Sequence, residues 1–405
     1  MNILILGLRE NNPNIGGIEN VSWQLAKEWK DMGCQVFSLS FLESHISTDC
    51  QSVFEESYYF PNTNYGTFAE ENKEYLLSLI CKHDIQIILN QISNLPSVLS
   101  LCYKVKQQVT SPLQWITTVH YDINFQLKAR RNNFFIKELL GTNLKLWIKD
   151  IASFVYFRFF QKYKIVREER DLYLNMVRVS DKTVLLSDAS LIRLADMLPS
   201  SEREKLYSIP NPIELQPICS LSKKKQLLYV GRLELGLKRV DRLIKIWSVL
   251  EPEFPEWEFV IVGDGDYRYF YESMCRNLNL KNIRFTGYTN PATYYSESPI
   301  LCLSSSSEGF GMVLIEAQMH GCIPVAYDSF DALHEIIEHR KTGFAVKSFN
   351  KHEYISCLRR LMTDEPLRSS MSEECKRSVA RFDSKQIASR WIKLFEDKNS
   401  STLLV

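Results

Sequence analysis

The sequence predicts an α/β protein of two doubly wound domains, and three observations support this prediction. The chain has 405 residues, which is long for a single hydrophobic core. Short apolar runs alternate with helical segments, as they do in parallel sheets that are covered by helices on both faces. The alternation stops once, at a proline-containing segment in the middle of the chain, and then begins again.

In the first half of the chain, the strands are predicted from short continuous apolar runs. These runs are Ile3–Gly7, Gln35–Ser40, Ile85–Leu89, Trp115–Val119 and Thr183–Leu186. An amphipathic helix is predicted from Glu19 to Met32, since Gly33 follows it as a stop signal. The first run lacks the basic start and the cleavage motif of a signal peptide, and the uncharged stretch from Ile85 to Tyr103 contains several amides. We therefore expect neither a leader peptide nor a membrane span.

The segment Leu206–Ile213 contains two prolines, so the domain boundary is predicted just after it. The predicted domains are 1–215 and 216–379, followed by a tail at about 380–398 whose helix is Ser384–Glu396. The predicted elements of the second domain are Gln226–Val230, Val240–Leu250, Glu258–Val262, Tyr267–Asn277, Asn282–Thr286, Leu301–Ser304, Met312–Met319, Pro324–Tyr327 and Ala332–Glu338. Because open α/β sheets bind ligands beyond the carboxyl ends of their strands, we expect a site in a deep cleft between the domains.

Composition argues against two classes of protein. Lys and Arg number 49 and Asp and Glu 48, whereas a dedicated nucleic-acid binder has a strong basic excess. The 10 cysteines are scattered without zinc-ligand spacing, so free thiols in a reducing, cytoplasmic compartment are predicted. Cys302 and Cys322 lie in apolar runs and are predicted to be buried.

The most informative segment runs from Ser304 to Ala317, where a strand, a small-residue turn and a helix are predicted in succession. Gly309 and Gly311 let the backbone approach a ligand, and the start of the helix offers free N–H groups to an anion. Glu308 and Glu316 bracket the turn and offer carboxylates to hydroxyl groups. The segment therefore predicts a site for a ligand that carries phosphate and several hydroxyls, although an ordinary Ser/Gly loop is an alternative.

Loops after other predicted strands contain residues of the same character. Gly16 and Gly17 lie between a strand and a helix, where paired glycines allow close approach to phosphate, although a simple tight turn is equally compatible. Arg232 and Lys238 follow the first strand of the second domain, and two cations there suit a diphosphate leaving group. Two solvated surface cations are the alternative.

Four further residues lie where predicted strands end. Gly263 and the Gly287-Tyr288 pair leave room for a flat base, although ordinary turn chemistry also accounts for the glycines. His120 ends a strand of the first domain and is predicted to face the cleft; a structural histidine is the alternative.

Together these residues resemble the retaining glycosyltransferases of family 4, which have the GT-B fold of two Rossmann-like domains. Glu308 to Glu316 matches the E-x7-E motif of that family. The resemblance covers nearly the whole chain and is strongest over Gln226–Val346. Further matching segments are Gly16-Gly17, Ile209–Pro212, Gly231-Arg232, Lys238, Gly263–Gly265, Gly321–Val325 and Gly343-Phe344.

The resemblance implies a role for each matched residue. Glu316 would bind the ribose hydroxyls of a nucleotide sugar, and Glu308 would contact the donor sugar. Arg232 and Lys238 would hold the diphosphate as it leaves, and His120 would lie beside the reacting carbon. The implied catalytic residues are therefore Glu308, His120, Arg232 and Lys238. The implied donor-binding residues are Gly16, Gly17, Arg232, Lys238, Gly263, Tyr288, Glu308, Gly309, Phe310, Gly311, Met312 and Glu316.

The resemblance also implies a mechanism and partners. The family retains the anomeric configuration, requires no metal or other cofactor, and most often uses a UDP-sugar. The acceptor is expected to be a glycan or a lipid-linked glycan, and the C-terminal helix is expected to pack back on the first domain. The chain departs from the family pattern at Arg239, where glycine often follows the key lysine, and at Pro212, where glycine is commoner and proline stiffens the hinge.

The segment Leu144–Tyr163 is rich in aromatic residues with interleaved lysines and arginines. Its apolar side chains spread nearly all round a helix, so a mostly buried helix is one interpretation. Peripheral contact with the inner face of the membrane, or with a lipid-linked acceptor, is the other.

We interpret the chain as a glycosyltransferase, with bacterial surface polysaccharide synthesis as the expected setting. Two alternatives stay open: a non-catalytic protein that binds nucleotide sugars or glycans, and an epimerase or hydrolase of the same fold. Turnover of a donor in the presence of an acceptor separates these functions.

Overall fold

The computed structural model describes residues 1–44, 53–123, 162–216 and 222–397. These residues form two compact units, each with its own parallel sheet. The first unit contains those of residues 1–123, 166–214 and 382–397, and the second contains those of 162–165 and 215–381. The predicted α/β class is therefore confirmed.

The first unit is built on a seven-stranded sheet in the order β3-β2-β1-β4-β5-β6-β7, with parallel neighbours throughout. The strands are β1 Asn2–Arg9, β2 Gln35–Leu42, β3 Ser57–Tyr59, β4 Ile87–Asn90, β5 Gln114–Val119, β6 Lys182–Leu185 and β7 Leu206–Ser208. The helices are α1 Gly17–Asp31, α2 Glu70–His83, α3 Pro96–Lys106, α4 Lys162–Val179, α5 Asp188–Met197 and α6 Ser200–Arg203. The central strands are buried on both faces, which explains why they are continuous apolar runs in the sequence.

The second unit is built on a six-stranded parallel sheet in the order β10-β9-β8-β11-β12-β13. The strands are β8 Gln226–Val230, β9 Glu258–Val262, β10 Ile283–Gly287, β11 Ile300–Leu303, β12 Ile323–Tyr327 and β13 Phe344–Val346. The helices are α7 Val240–Leu250, α8 Arg268–Asn277, α9 Ala292–Glu297, α10 Met312–Met319, α11 Leu333–Ile336, α12 Lys351–Thr363 and α13 Glu365–Ser378, followed by a 3-10 turn at Val379–Phe382.

The last helix, α14 (Ser384–Glu396), packs on the first unit, as the sequence analysis expects. At its start, the Ser384 hydroxyl donates a hydrogen bond of 2.6 Å to the Glu28 carboxylate. At its end, the Lys182 ammonium donates to the carbonyl oxygens of Leu394 and Asp397. A carboxylate at the N-terminus and a cation at the C-terminus both complement the helix dipole. Trp29 of α1 packs between these ends, with its ring centroid 6.3 Å from that of Trp391.

Several predicted elements begin and end at the predicted residues, and others shift by one or two residues. Val240–Leu250, Met312–Met319 and Ser384–Glu396 have the predicted bounds. The strands β3, β7 and β13 were not predicted, because three-residue strands are too short to show a periodicity. Strand β7 ends just before the two prolines of Leu206–Ile213, so the regular pattern continues up to them.

Two other predictions concern membranes and cysteines. In the part of the chain that the structure describes, no helix is long and apolar enough to cross a membrane. The described cysteines are free thiols, and Cys302 and Cys322 are buried as predicted. The aromatic segment Leu144–Tyr163 lies outside the described residues except for its last two positions.

Candidate active site

Two loops meet at the carboxyl edge of the second sheet. One follows β8 and carries Arg232 and Lys238, and the other follows β11 and carries Glu308. The backbone N–H of Ser306 donates to the carbonyl oxygen of Leu237 at 2.7 Å, and the Ser304 hydroxyl donates to that of Lys238 at 3.0 Å. These bonds join the two loops and place Lys238 beside Glu308.

Lys238 and Glu308 form an ion pair. The Lys238 ammonium lies 2.6 Å from Oε1 and 2.9 Å from Oε2 of Glu308. The Ser305 hydroxyl donates a further hydrogen bond of 2.6 Å to Oε1. The side chains of Lys238 and Glu308 are only 19% and 12% exposed, so solvent screens this pair less than a surface pair. The arrangement holds an ammonium group at a defined point next to a carboxylate.

Arg232 is the second cation at this edge of the sheet. Its backbone carbonyl accepts a hydrogen bond of 3.0 Å from the hydroxyl of Tyr229, which fixes the backbone. The residue is exposed, and within the described part of the chain its guanidinium forms no ion pair. The structure therefore leaves this cation accessible to an anionic ligand.

Arg239, where the family often has glycine, has a structural explanation. It adopts a left-handed conformation, with φ 52° and ψ 48°, which glycine enters more easily than other residues. Its guanidinium makes two hydrogen bonds to the carboxylate of Asp241, at 2.9 and 3.0 Å. Both side chains are buried, at 7% and 1% exposure. The buried ion pair offsets the cost of the backbone conformation and holds the turn that carries Lys238.

Two glycines of the predicted site are required by their conformation. Gly263 has φ +134°, and a Cβ there would lie 2.0 Å from the carbonyl oxygen of Gly231. Gly311 has φ +94° and immediately precedes α10, and a Cβ there would lie 3.2 Å from the ring of Phe330. Larger residues at these positions would displace the loops. The small residues therefore support the backbone of the site whether or not a ligand binds.

Residues of differing exposure precede and begin α10. Phe310 is 3% exposed and therefore buried. Gly309 and Met312 are partly exposed on either side of it. The first N–H groups of a helix lack intrahelical partners, and such groups suit an anion.

Glu316 lies in the same helix, and its carboxylate is hydrogen-bonded to a tyrosine. The hydroxyl of Tyr295 donates a hydrogen bond of 2.7 Å to its Oε2. Burial raises the pKa of Glu316, and the hydrogen bond from Tyr295 opposes that shift.

Tyr288, at the end of β10, is 82% exposed and therefore presents its ring to solvent.

The remaining predicted residues lie at the carboxyl edge of the first sheet. Gly16 and Gly17 lie at the start of α1, with Gly16 in an extended conformation. His120 directly follows β5, and its Nε2 lies 2.5 Å from Oε1 of Gln91. Gln91 in turn donates from Nε2 to the hydroxyl of Ser22, at 3.2 Å. With the Gln91 amide oriented so that its nitrogen donates to Ser22, its oxygen accepts from His120, and the proton of His120 lies on Nε2.

This tautomer leaves Nδ1 of His120 as an acceptor. Within the described residues Nδ1 is buried and has no hydrogen-bond partner. Burial lowers the pKa of His120 to about 4, so the ring is neutral near pH 7. An unpaired buried acceptor costs free energy.

We expect His120 to make stability pH-dependent. Its pKa of about 4 in the folded protein is below the ordinary value of 6.5, so the unfolded chain binds the proton first as the pH falls. Stability is therefore complete above about pH 6.5 and decreases towards pH 4, by about 2 kcal/mol between pH 7 and pH 4.5. Urea unfolding of the wild type and His120→Gln at several pH values measures this. Parallel pH profiles for the two proteins would contradict it.

Residues that the sequence analysis did not single out bind four of the side chains described above. Ser305 binds Glu308, Tyr295 binds Glu316, Gln91 binds His120, and Asp241 binds Arg239. Only Ser305 and Asp241 are close in sequence to their partners and could have been inferred from a local pattern. Among the described residues, no group of three or more His, Cys, Asp and Glu side chains could hold a metal ion.

Comparison with known proteins finds a family match and several relatives. Residues 214–378 match the family described as "Glycosyl transferases group 1". An "Uncharacterized glycosyltransferase" of Haemophilus influenzae is 30% identical over 219 residues, which cover 53% of this chain and 61% of that protein. The "Poly(glycerol-phosphate) alpha-glucosyltransferase" of Bacillus subtilis is 23% identical over 236 residues, which cover 57% of this chain and 34% of that protein. The chain thus spans less than two thirds of the length of these relatives.

Solved structures match over nearly the whole chain. TarM of S. aureus, in complex with Fondaparinux, alpha-GlcNAc-glycerol and UDP, has a TM-score of 0.73 at 13% identity and covers 98% of this chain and 100% of its own. Anabaena HepE, in complex with UDP and glucose, has a TM-score of 0.73 at 16% identity, and the match covers 97% of this chain and 99% of HepE. At these identities the likeness establishes the fold, and that fold is GT-B.

Proposed function

We propose that this chain, which has the GT-B fold and resembles glycosyltransferases, transfers a sugar from a nucleotide-sugar donor to a glycan or lipid-linked glycan acceptor. The proposed donor is a UDP-sugar, as in the HepE complex with UDP and glucose. The proposed setting is the synthesis of a bacterial polysaccharide or glycoconjugate. The named functions of relatives, such as poly(glycerol-phosphate) glucosylation in Bacillus subtilis, support that setting.

The observation that carries this proposal is the Lys238–Glu308 ion pair beside the start of α10. A mostly buried ammonium suits a diphosphate, and the adjacent carboxylate suits sugar hydroxyls. Glu316, in the same helix, offers a second carboxylate for the hydroxyls of a ribose. A nucleotide sugar carries a diphosphate, the hydroxyls of the sugar and the hydroxyls of a ribose, so it matches all three protein groups.

In the proposed reaction, the bond between the anomeric carbon and the diphosphate breaks, and negative charge develops on the departing oxygen. Lys238 and Arg232 stabilise this charge together with N–H groups at the start of α10, so no metal ion or other cofactor is required. The acceptor hydroxyl attacks from the same face, which retains the anomeric configuration. Glu308 orients the donor and is not a covalent nucleophile. His120 is proposed to lie beside the donor sugar with a neutral ring.

A cytoplasmic location at the inner face of the membrane is part of the same proposal. It rests on the aromatic and basic composition of Leu144–Tyr163 and on the expectation of a lipid-linked acceptor.

Nucleotide binding tests the donor site. In a thermal-shift panel of UDP, GDP, ADP and CMP, we expect UDP to raise the melting temperature of the wild type, because a ligand that binds the folded state stabilises it by mass action. Glu316→Ala should lose most of this increase, since it removes the carboxylate for the ribose. Glu338→Ala, at an exposed glutamate of the same unit, is the matched control and should keep it. No shift with any nucleotide at millimolar concentration would contradict the donor site.

Turnover distinguishes a transferase from a binding protein. A transferase consumes its UDP-sugar faster when the acceptor is present, and the rate persists in EDTA if no metal is required. A protein that binds the donor without turnover is a binding protein. One that consumes the donor at the same rate without acceptor is a hydrolase.

A further inference from the structure

Tyr295 is a buried tyrosine whose position is set by several contacts. It lies in α9, is 2% exposed, and its ring stacks on that of His320 with centroids 5.8 Å apart and planes at 21°. Its backbone carbonyl accepts a hydrogen bond of 3.0 Å from the ammonium of Lys223. The adjacent Ser296 hydroxyl lies 2.8 Å from Nδ1 of His320, which ties α9 to the end of α10. The phenol therefore has little freedom to move.

The hydroxyl of Tyr295 lies beside the carboxylate of Glu316. It lies 2.7 Å from Oε2, and since the carboxylate only accepts, the phenol donates. No described residue donates a hydrogen bond to the other oxygen, Oε1, and Glu316 as a whole is partly exposed. One oxygen is thus bound on the protein side while the other faces outward.

We propose that Tyr295 is a positioning residue for donor binding, which holds the Glu316 carboxylate so that its outer oxygen accepts hydrogen bonds from the ribose 2′- and 3′-hydroxyls. This inference rests on the proposed function and adds a residue to its donor site. Because Tyr295 is almost fully buried, it acts through Glu316 and does not contact the nucleotide itself.

Two physical effects contribute. A carboxylate at the end of a flexible side chain must be ordered when a diol binds, and a side chain already held in place loses less entropy. The hydrogen bond also favours the ionised form of Glu316, whose pKa is raised by burial, and the ionised form is the better acceptor. Both effects depend on the ribose hydroxyls and on no other part of the nucleotide.

The test is a comparison of two ligands in two proteins. Calorimetry measures the binding of UDP and of 2′,3′-dideoxy-UDP to the wild type and to Tyr295→Phe, which keeps the ring and removes the hydroxyl. We expect Tyr295→Phe to weaken UDP binding about tenfold and to change 2′,3′-dideoxy-UDP binding less than about twofold. A merely structural role would weaken both ligands equally.

Tyr354→Phe is the matched control. Tyr354 is also fully buried in the second unit, and its hydroxyl donates to the carbonyl oxygen of Val325 at 2.6 Å, with no contact to Glu316. Tyr354→Phe should lower the melting temperature without changing the ratio of the affinities for UDP and 2′,3′-dideoxy-UDP.

The possible failures are distinguishable. If neither UDP nor GDP binds the wild type, the proposed donor site is wrong, and the role of Tyr295 fails with it. If the wild type binds the ribonucleotide and Tyr295→Phe keeps the same preference over its dideoxy form, only the role of Tyr295 is wrong.

Discussion

Lys238→Met is expected to lower kcat for sugar transfer by about 10²–10³-fold, the effect of removing one preorganised group that stabilises developing charge. Lys238 places its ammonium 2.6 Å from Glu308, and the two joined loops leave it little freedom to move. Binding of UDP should weaken much less, because Glu316 and the start of α10 remain. Steady-state kinetics and calorimetry with the same protein separate the two effects.

Lys238→Arg is the conservative variant, and we expect it to recover only part of the activity. The guanidinium can bind both oxygens of Glu308, but it is larger and planar, so its charge is spread out and cannot occupy the same point as the ammonium. Lys341→Met is the matched control, since Lys341 forms an exposed ion pair with Glu338 in the same unit. Transfer by Lys238→Met at a rate within a few-fold of the wild type would exclude Lys238 from the reaction.

Arg239→Gly is expected to destabilise the protein, although glycine is the residue that the family often has there. Glycine relieves the left-handed backbone by roughly 1 kcal/mol. However, it leaves the Asp241 carboxylate buried, at 1% exposure, without its cation. Breaking a buried ion pair on one side costs about 3–5 kcal/mol, so the net loss is about 2–4 kcal/mol. Thermal unfolding should show a decrease in melting temperature of roughly 5–15 °C.

A double-mutant cycle isolates the pair. Asp241→Ala should also destabilise the protein, because it leaves the guanidinium of Arg239 buried and unpaired. The double variant should lose less stability than the sum of the two single changes, with a coupling of about 2 kcal/mol or more. Additive losses would show that the two side chains do not depend on each other, and that Arg239 serves another purpose.

Much of the fold could be predicted because its signals are local. The strands β8 and β9 are continuous apolar runs, and the structure places them at the predicted residues. Helix α10 was also located with its bounds, since Gly311 precedes it and Gly321 follows it. The short strand β7 was missed, because three residues beside two prolines carry no periodic signal.

The residues of the candidate site could be named from the sequence, but their partners could not. Glu308 and Glu316 stand in one motif, whereas Lys238 is 70 residues from Glu308 and Tyr295 is 21 residues from Glu316. Gln91 lies 29 residues before His120 and belongs to a different strand end. The catalytic and binding roles of these residues stay predictions until the variants are measured.

The sequence by itself determined the α/β class, the apolar strands and the glycine-containing loops at their ends, because periodicity and backbone preference act over a few residues. Only the tertiary structure decided which polar side chains meet across those loops. It paired Lys238 with Glu308, Tyr295 with Glu316 and Gln91 with His120. Such pairs form because parallel strands that are distant in sequence end at the same edge of a sheet, and no local pattern encodes which of their side chains come within hydrogen-bonding distance.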